Sequence, residues 1–320
     1  MHRLVEFGVQ LAQEEFDFNS LKEACLKIEE MNFRSIWLYD HFHPQLSTGS
    51  HSILESYVTL SALTTVTKRI RLGVLVSCNS YRHPSLLAKM AASIDAISDG
   101  RLEFGIGAGW FEDEYLAYGI PFPKPSVRIG QLHEAVQIVR EMWTKDRADF
   151  QGKYYRIRQA ICEPKPTQKP HPPIWIGGRG EQLTLKVVAQ YANYSNFANV
   201  SPEECVHKLK VLKKHCQSVG RDFDDIKKSW HGVVWLGEDE EELRRLAKER
   251  KTKSVSSHLK AISFQEYLDK IILGTADRCI ERINEYVEAG ITYFVLVFPG
   301  GEAGMDNADD FSKKVVKSIA

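Results

Sequence analysis

Short apolar runs alternate along this chain with longer segments whose apolar positions recur every three or four residues. The runs "LVEFGVQL", "SIWLYDHF", "IRLGVLVS", "RLEFGIG", "PPIWIGG", "NYSNFA", "KKSWHGVVWLG" and "TYFVLVFP" predict eight strands. Most are continuously apolar, as parallel strands covered on both faces should be. The segments between them carry the helical period. In "FNSLKEACLKIEEMNF", Leu21, Cys25, Ile28 and Met31 share one face, and Ser20 with Glu23 fits a capping box. Pro84 opens "PSLLAKMAASIDAIS" and Asp99-Gly100 closes it. "ESYVTLSALTTVT", "SVRIGQLHEAVQIVREMW", "EQLTLKVVAQY", "PEECVHKLKVLKKHCQSVG", "EDEEELRRLAKER", "ADRCIERINEYVEAG" and "NADDFSKKVVKSI" continue the alternation.

Strand followed by helix, repeated in this way, predicts an α/β protein, a single (β/α)8 TIM barrel over 1–320. An open doubly wound sheet is the competing architecture. No linker rich in Pro, Gly or Ser divides the chain. Two segments, about 146–172 and 250–272, are longer than ordinary loops. They are expected as insertions that wall the C-terminal mouth of the barrel.

Composition narrows the partners. Lys plus Arg equals Asp plus Glu, 42 each, so neither nucleic acid nor an anionic membrane is the expected partner. The six cysteines lie far apart, without a Cys-x-x-Cys pair, and read as free thiols of a cytoplasmic protein. The opening residues carry charge too early for a secretory leader, and no apolar run is long enough to cross a membrane.

In a barrel the chemistry sits at the C-terminal strand ends. Those ends offer Gln10, Asp40-His41, Val76-Ser77-Cys78, Gly107-Ala108-Gly109-Trp110, Gly177-Gly178-Arg179-Gly180, Asn196-Phe197 and Phe298-Pro299. Histidine side chains titrate near neutral pH, so His41 suits proton transfer, with Asp40 beside it. The competing reading is an Asp that caps a turn next to a solvated His. His43 and His51 lie nearby, but no carboxylate completes a ligand spacing, so no metal is expected. Gly177, Gly178, Arg179 and Gly180 precede a helix and suit an anion such as a phosphate. The stretch "GIGAGW" is not a dinucleotide fingerprint, because Trp110 stands where the third glycine should be. Gly107 and Gly109 are instead expected to let a flat ligand approach the backbone, with Trp110 as a wall. Glu112, Asp113 and Glu114 read as structural charges at a helix start.

The segments "WLYDHF", "YRHPSLLAKMAASIDAISDGRLEFGIGAGWFEDEY", "YGIPFP", "FQGKYYRI" and "PPIWIGGRG" together resemble the bacterial-luciferase-like monooxygenase superfamily. They look most like its coenzyme F420-dependent oxidoreductase branch. The resemblance is dense from about Val5 to Phe197 and returns at "GTADRCIERINEYVEAGITYFVLVFPGG". It implies a homodimeric barrel that moves a hydride between F420 and a small organic substrate. The alternatives are an FMN-dependent, O2-using monooxygenase and a flavin-binding protein without turnover. It implies Asp40 at the cofactor ring and His41 as acid/base. It implies a non-prolyl cis peptide between Val74 and Ser77, placing Leu75, Val76 and Ser77 behind the ring. Gly177, Gly178, Arg179 and Gly180 match the phosphate loop. Arg82 and Arg179 are the bases expected near the acidic tail of F420, and Gln10, Trp110 and Phe298 are expected in the substrate pocket. Sugar-phosphate and alcohol dehydrogenases of this branch carry Glu at the position of Trp110, and a Trp where this chain has Phe42-His43-Pro44. The resemblance therefore leaves the substrate unassigned.

Overall fold

The computed structural model describes residues 4–46 and 52–319. Eight parallel strands close into a barrel: β1 (Glu6–Gln10), β2 (Ser35–Leu38), β3 (Arg71–Cys78), β4 (Leu102–Gly107), and, after a hairpin, β7 (Ile174–Gly177), β8 (Tyr194–Ala198), β9 (Lys227–Leu236) and β11 (Tyr293–Val297). The barrel shuts where β11 pairs with both β9 and β1, and β8 pairs with β9. All eight predicted strands are present. The open sheet is excluded by that closure.

The helices α1 (Phe18–Glu30), α2 (Ser56–Val66), α3 (Pro84–Ile97), α4 (Glu112–Ala117), α5 (Pro125–Thr144), α6 (Thr184–Tyr191), α7 (Pro202–Val219), α8 (Glu240–Lys253), α9 (Ser257–Ala261), α10 (Phe264–Leu268), α11 (Ala276–Glu288) and α12 (Glu302–Phe311) connect and surround the strands. The capping box of α1 is Asp17 with Ser20, not Ser20 with Glu23. Asp17 has the extended backbone that a cap needs, and its carboxylate accepts the Ser20 amide at 2.8 Å, which leaves Ser20 inside the helix.

The lower barrel is filled with rings. Trp175 stacks on Tyr194 at 3.8 Å and meets Trp37 at 4.7 Å edge-on, with Tyr293 closing the layer. The barrel interior is thereby filled at this level.

The two insertions behave differently. The first forms the antiparallel hairpin β5 (Ala148–Gln151) with β6 (Arg156–Ala160). It is tied to the barrel's flank, because the Glu134 carboxylate on α5 accepts the amides of Lys153, Tyr154 and Tyr155 at 2.7–3.0 Å. None of its residues lines the cavity at the mouth. The second insertion does line it. It carries α9 and α10, it precedes the short strand β10 (Ile272–Gly274), and Val255 bonds the Gln45 carbonyl at 3.0 Å across the opening.

Candidate active site

A cavity of about 680 Å³ opens at the C-terminal strand ends. Its floor is a bulge in β3. Pairing with β4 slips between Val74 and Ser77, and the Leu75–Val76 peptide is cis, inside the interval expected from the sequence. Two glycines make room for Val76. A Cβ on Gly107 would lie 2.7 Å from a Val76 methyl, and one on Gly177 would lie 2.9 Å from the other. Gly105 and Gly107 of "GIGAGW" thus serve the close approach of β4 to β3. Gln10 fastens the bulge by donating to the Leu75 carbonyl at 2.9 Å.

Asp40 and His41 follow β2 and both line the cavity. They have different duties. The Asp40 carboxylate is buried, and four bonds occupy it: Ser56 Oγ at 2.7 Å, the Cys78 amide at 2.8 Å, and two Arg82 nitrogens at 2.7 and 2.9 Å. Arg82 also pairs with Glu55. Asp40 therefore joins the ends of β2 and β3, and Arg82 is committed inside the protein rather than held out for a ligand.

His41 belongs to a second network that the sequence did not reveal. Its Nδ1 lies 2.9 Å from Glu114 Oε2. Glu114 is fully buried and also accepts the His43 amide at 2.8 Å, the Phe42 amide and the Tyr81 hydroxyl. Burial works against ionisation of Glu114, but the bonds from His41, Tyr81 and the His43 amide outweigh it and hold the carboxyl below its ordinary value. An ionised Glu114 only accepts, so neutral His41 carries its proton on Nδ1. Nε2, which has no hydrogen-bond partner among the described residues, is then a bare base at the cavity wall. Trp110 stands edge-on to His41 at 5.7 Å and stacks on Phe111 at 5.2 Å. A signal for Glu114 existed: it shares a helical face with Phe111, Tyr115 and Tyr118, where a carboxylate needs a reason to be buried.

Two arginines line the same cavity without a carboxylate partner among the described residues. Arg179, in the predicted glycine loop, donates to His258 Nε2 at 3.0 Å and to the Asn199 carbonyl at 3.4 Å. Burial lowers its pKa. Arg128 was not predicted. It is 7% exposed, lies over the Phe122 ring at 3.9 Å, bonds the Pro123 carbonyl, and leaves Nε without a partner. It too lies on an apolar helical stripe, with Leu132, Ala135 and Val136. Unpaired buried cations fit an anionic ligand. Glu14 completes the wall near Gln45. Burial raises its pKa against the lowering effect of the Gln45 amide.

Leu75, Val76, Ser77, Gly107, Gly109, Gly177, Gly178, Arg179, Gly180, Gln10 and Trp110 all line this cavity. Phe298 does not. It is 4% exposed and packs on Phe33 and Phe311, while the preceding residue, Val297, faces the cavity. Successive residues at a strand end point to opposite sides, and the sequence expectation chose the wrong one. His51 lies outside the described residues. Among those described, no three His, Cys, Asp or Glu side chains gather as a metal site.

A closed parallel barrel with a glycine-lined cavity at its C-terminal mouth, largely apolar with a few convergent polar groups, defines the class: a ligand-binding (β/α)8 barrel of the enzyme type. Residues 3–293 match the family model "Luciferase-like monooxygenase", and the chain belongs to that family. It is 28% identical to an F420-dependent glucose-6-phosphate dehydrogenase of Microbacterium testaceum, over 92% of both chains. In structure it is similar to an F420-dependent secondary alcohol dehydrogenase in complex with an F420-acetone adduct (TM-score 0.85, 19% identity, 98% of both chains). It is also similar to a monooxygenase from Streptomyces bottropensis (TM-score 0.80, 21% identity, 98% of this chain and 100% of the other). At these identities the structural likenesses show the fold.

Proposed function

We propose that this protein is an F420-dependent oxidoreductase that transfers a hydride between the deazaflavin and a small organic substrate. The observation that carries the reading is the buried, ionised Glu114 holding His41 with Nε2 bare at the wall of the cavity. The F420-dependent dehydrogenase that matches over 92% of both chains supports the cofactor. The residues present fit it. Glycines 107 and 177 and the Leu75–Val76 bulge make a close-approach floor, and Arg128 and Arg179 await anionic groups.

F420, when bound, supplies a two-electron hydride donor or acceptor. The chain's residues supply the rest. The floor of the cavity orients the ring, and Arg128 and Arg179 hold anionic parts of the ligand. Trp110 and the second insertion limit water at the mouth. When a substrate O–H is oxidised, His41 Nε2 takes its proton, and Glu114 stabilises the resulting imidazolium. In the reverse direction the imidazolium returns it. Asp40 acts indirectly, by fixing the turn that carries His41.

Six unpaired, buried cysteines support a reducing, cytoplasmic setting. Among the described residues no helix is long and apolar enough to cross a membrane. Val58 on α2, with Leu86 and Ile97 on α3, are exposed apolar side chains and support a homodimer through that face. The family's name and the Streptomyces likeness favour one second reading, an O2-using enzyme fed reduced FMN. Fluorescence titration with F420 and FMN side by side separates them. Tighter binding of F420, and a His41→Ala variant that folds but turns over slowly, is the expected result. Tight FMN with weak F420 would transfer the assignment to the monooxygenase.

A further inference from the structure

His231, on β9, was not among the residues expected at the site, yet it lines the cavity. A chain of hydrogen bonds sets its chemistry. The Leu75 carbonyl can only accept, so Gln10 must present its NH2 group there, at 2.9 Å. Gln10 Oε1 is then the group that faces His231 Nε2 at 2.8 Å, and a carbonyl oxygen again can only accept. Nε2 must therefore carry the ring proton. Nδ1 remains a bare acceptor, and no described residue bonds it. Burial, with the Arg250 charge as a lesser contribution, lowers the His231 pKa to about 4, so the ring stays neutral through the physiological range. The other histidines of the cavity wall are held differently. His41 opposes an ionised glutamate, and His258 Nε2 is already occupied by Arg179.

We propose that His231 Nδ1 is a binding group of the site, accepting a hydrogen bond from an N–H or O–H donor on the ligand that occupies the cavity floor beside Gln10. The inference rests on the cofactor-binding reading above. Its chemical content is selective: a ligand with an acceptor at that place would face a lone pair and be disfavoured, because the ring cannot readily protonate to accommodate it. The donor has two sources, the cofactor ring or the substrate.

Two variants separate binding from support. Glutamine places its amide where Nε2 was, so His231→Gln keeps a donor for Gln10 and removes the Nδ1 acceptor. His231→Asn does the reverse. Each is titrated with F420, with FMN, and with glucose 6-phosphate in the presence of F420, after a melting curve confirms folding. His231→Gln should weaken one of these ligands about three- to tenfold, while His231→Asn retains more of the affinity. An effect on the F420 or FMN titration puts the donor on the cofactor. An effect confined to glucose 6-phosphate puts it on the substrate. Nitrogen-15 spectra of the labelled histidines should show a neutral ring protonated on Nε2. A ring protonated on Nδ1, or wild-type affinity of His231→Gln for all three probes, would overturn the proposal. If the wild-type protein itself binds neither cofactor, the functional reading falls first, a result distinguishable from binding that ignores the substitution.

Discussion

Replacing Glu114 by Gln tests the centre of the proposed mechanism with an almost isosteric change. Four donors converge on the two carboxylate oxygens: the Phe42 and His43 amides on Oε1, His41 Nδ1 and the Tyr81 hydroxyl on Oε2. An amide has only one oxygen. Two fixed backbone N–H groups claim it, so the new NH2 group must face His41 and Tyr81. Tyr81 can rotate its hydroxyl to accept. His41 can accept on Nδ1 only by moving its own proton to Nε2, where the base is needed. Glu114→Gln should therefore lower kcat by about 10²- to 10⁴-fold, the range over which a positioned acid or base contributes. Cofactor affinity should change little, because Glu114 does not line the cavity. The assay is kcat against pH for the wild type, Glu114→Gln and Glu114→Asp, with cofactor titration and melting curves as controls. Stability should carry a matching signature. The folded pKa of Glu114 lies below its unfolded value of about 4.3, so its contribution is complete above that value. It is lost as the pH falls through the lowered folded value, and Glu114→Gln should flatten that acid limb. A folded Glu114→Gln enzyme with wild-type kcat would refute the pairing of His41 with Glu114 as a catalytic arrangement.

Other substitutions probe the rest of the site. Arg128→Met removes a buried cation that has no carboxylate partner among the described residues, so the protein should keep its melting temperature while F420 affinity falls about ten- to a hundredfold by titration. Unchanged affinity would remove Arg128 from ligand binding. Arg82→Met has the opposite profile. It strips the ion pair from a buried Asp40 and should cost about 3–5 kcal/mol in denaturant unfolding. Gly107→Ala drives a methyl into Val76 and should cost about 1–3 kcal/mol, with Val76→Ala in the same chain recovering much of it. Additive losses in the double variant would mean that the glycine serves something other than the bulge.

The repeated apolar strand and amphipathic helix were enough to read the barrel, since local period and burial on both faces leave few architectures open. The strand ends were legible for the same reason: once the fold is a barrel, Asp40, His41, Gly107 and the Gly177–Gly180 loop must converge. What those residues do there was a matter of long-range pairing. Asp40 was expected at the cofactor ring, and only the structure shows that Arg82, Ser56 and the Cys78 amide occupy its carboxylate. Glu114 looked like a helix-start charge, because Glu112 and Asp113 beside it are just that, on the exposed side of the same turn. Phe298 was misplaced by a single residue of strand phase, which apolar sequence on both faces does not record. Arg128, Glu14 and His231 come from α5, the 3-10 turn Gln13–Glu15 after β1, and β9, far apart in the chain. Only closure of the barrel brings them to one cavity, where, among the described residues, two arginines stand without acids and His231 Nδ1, like His41 Nε2, stands without a partner.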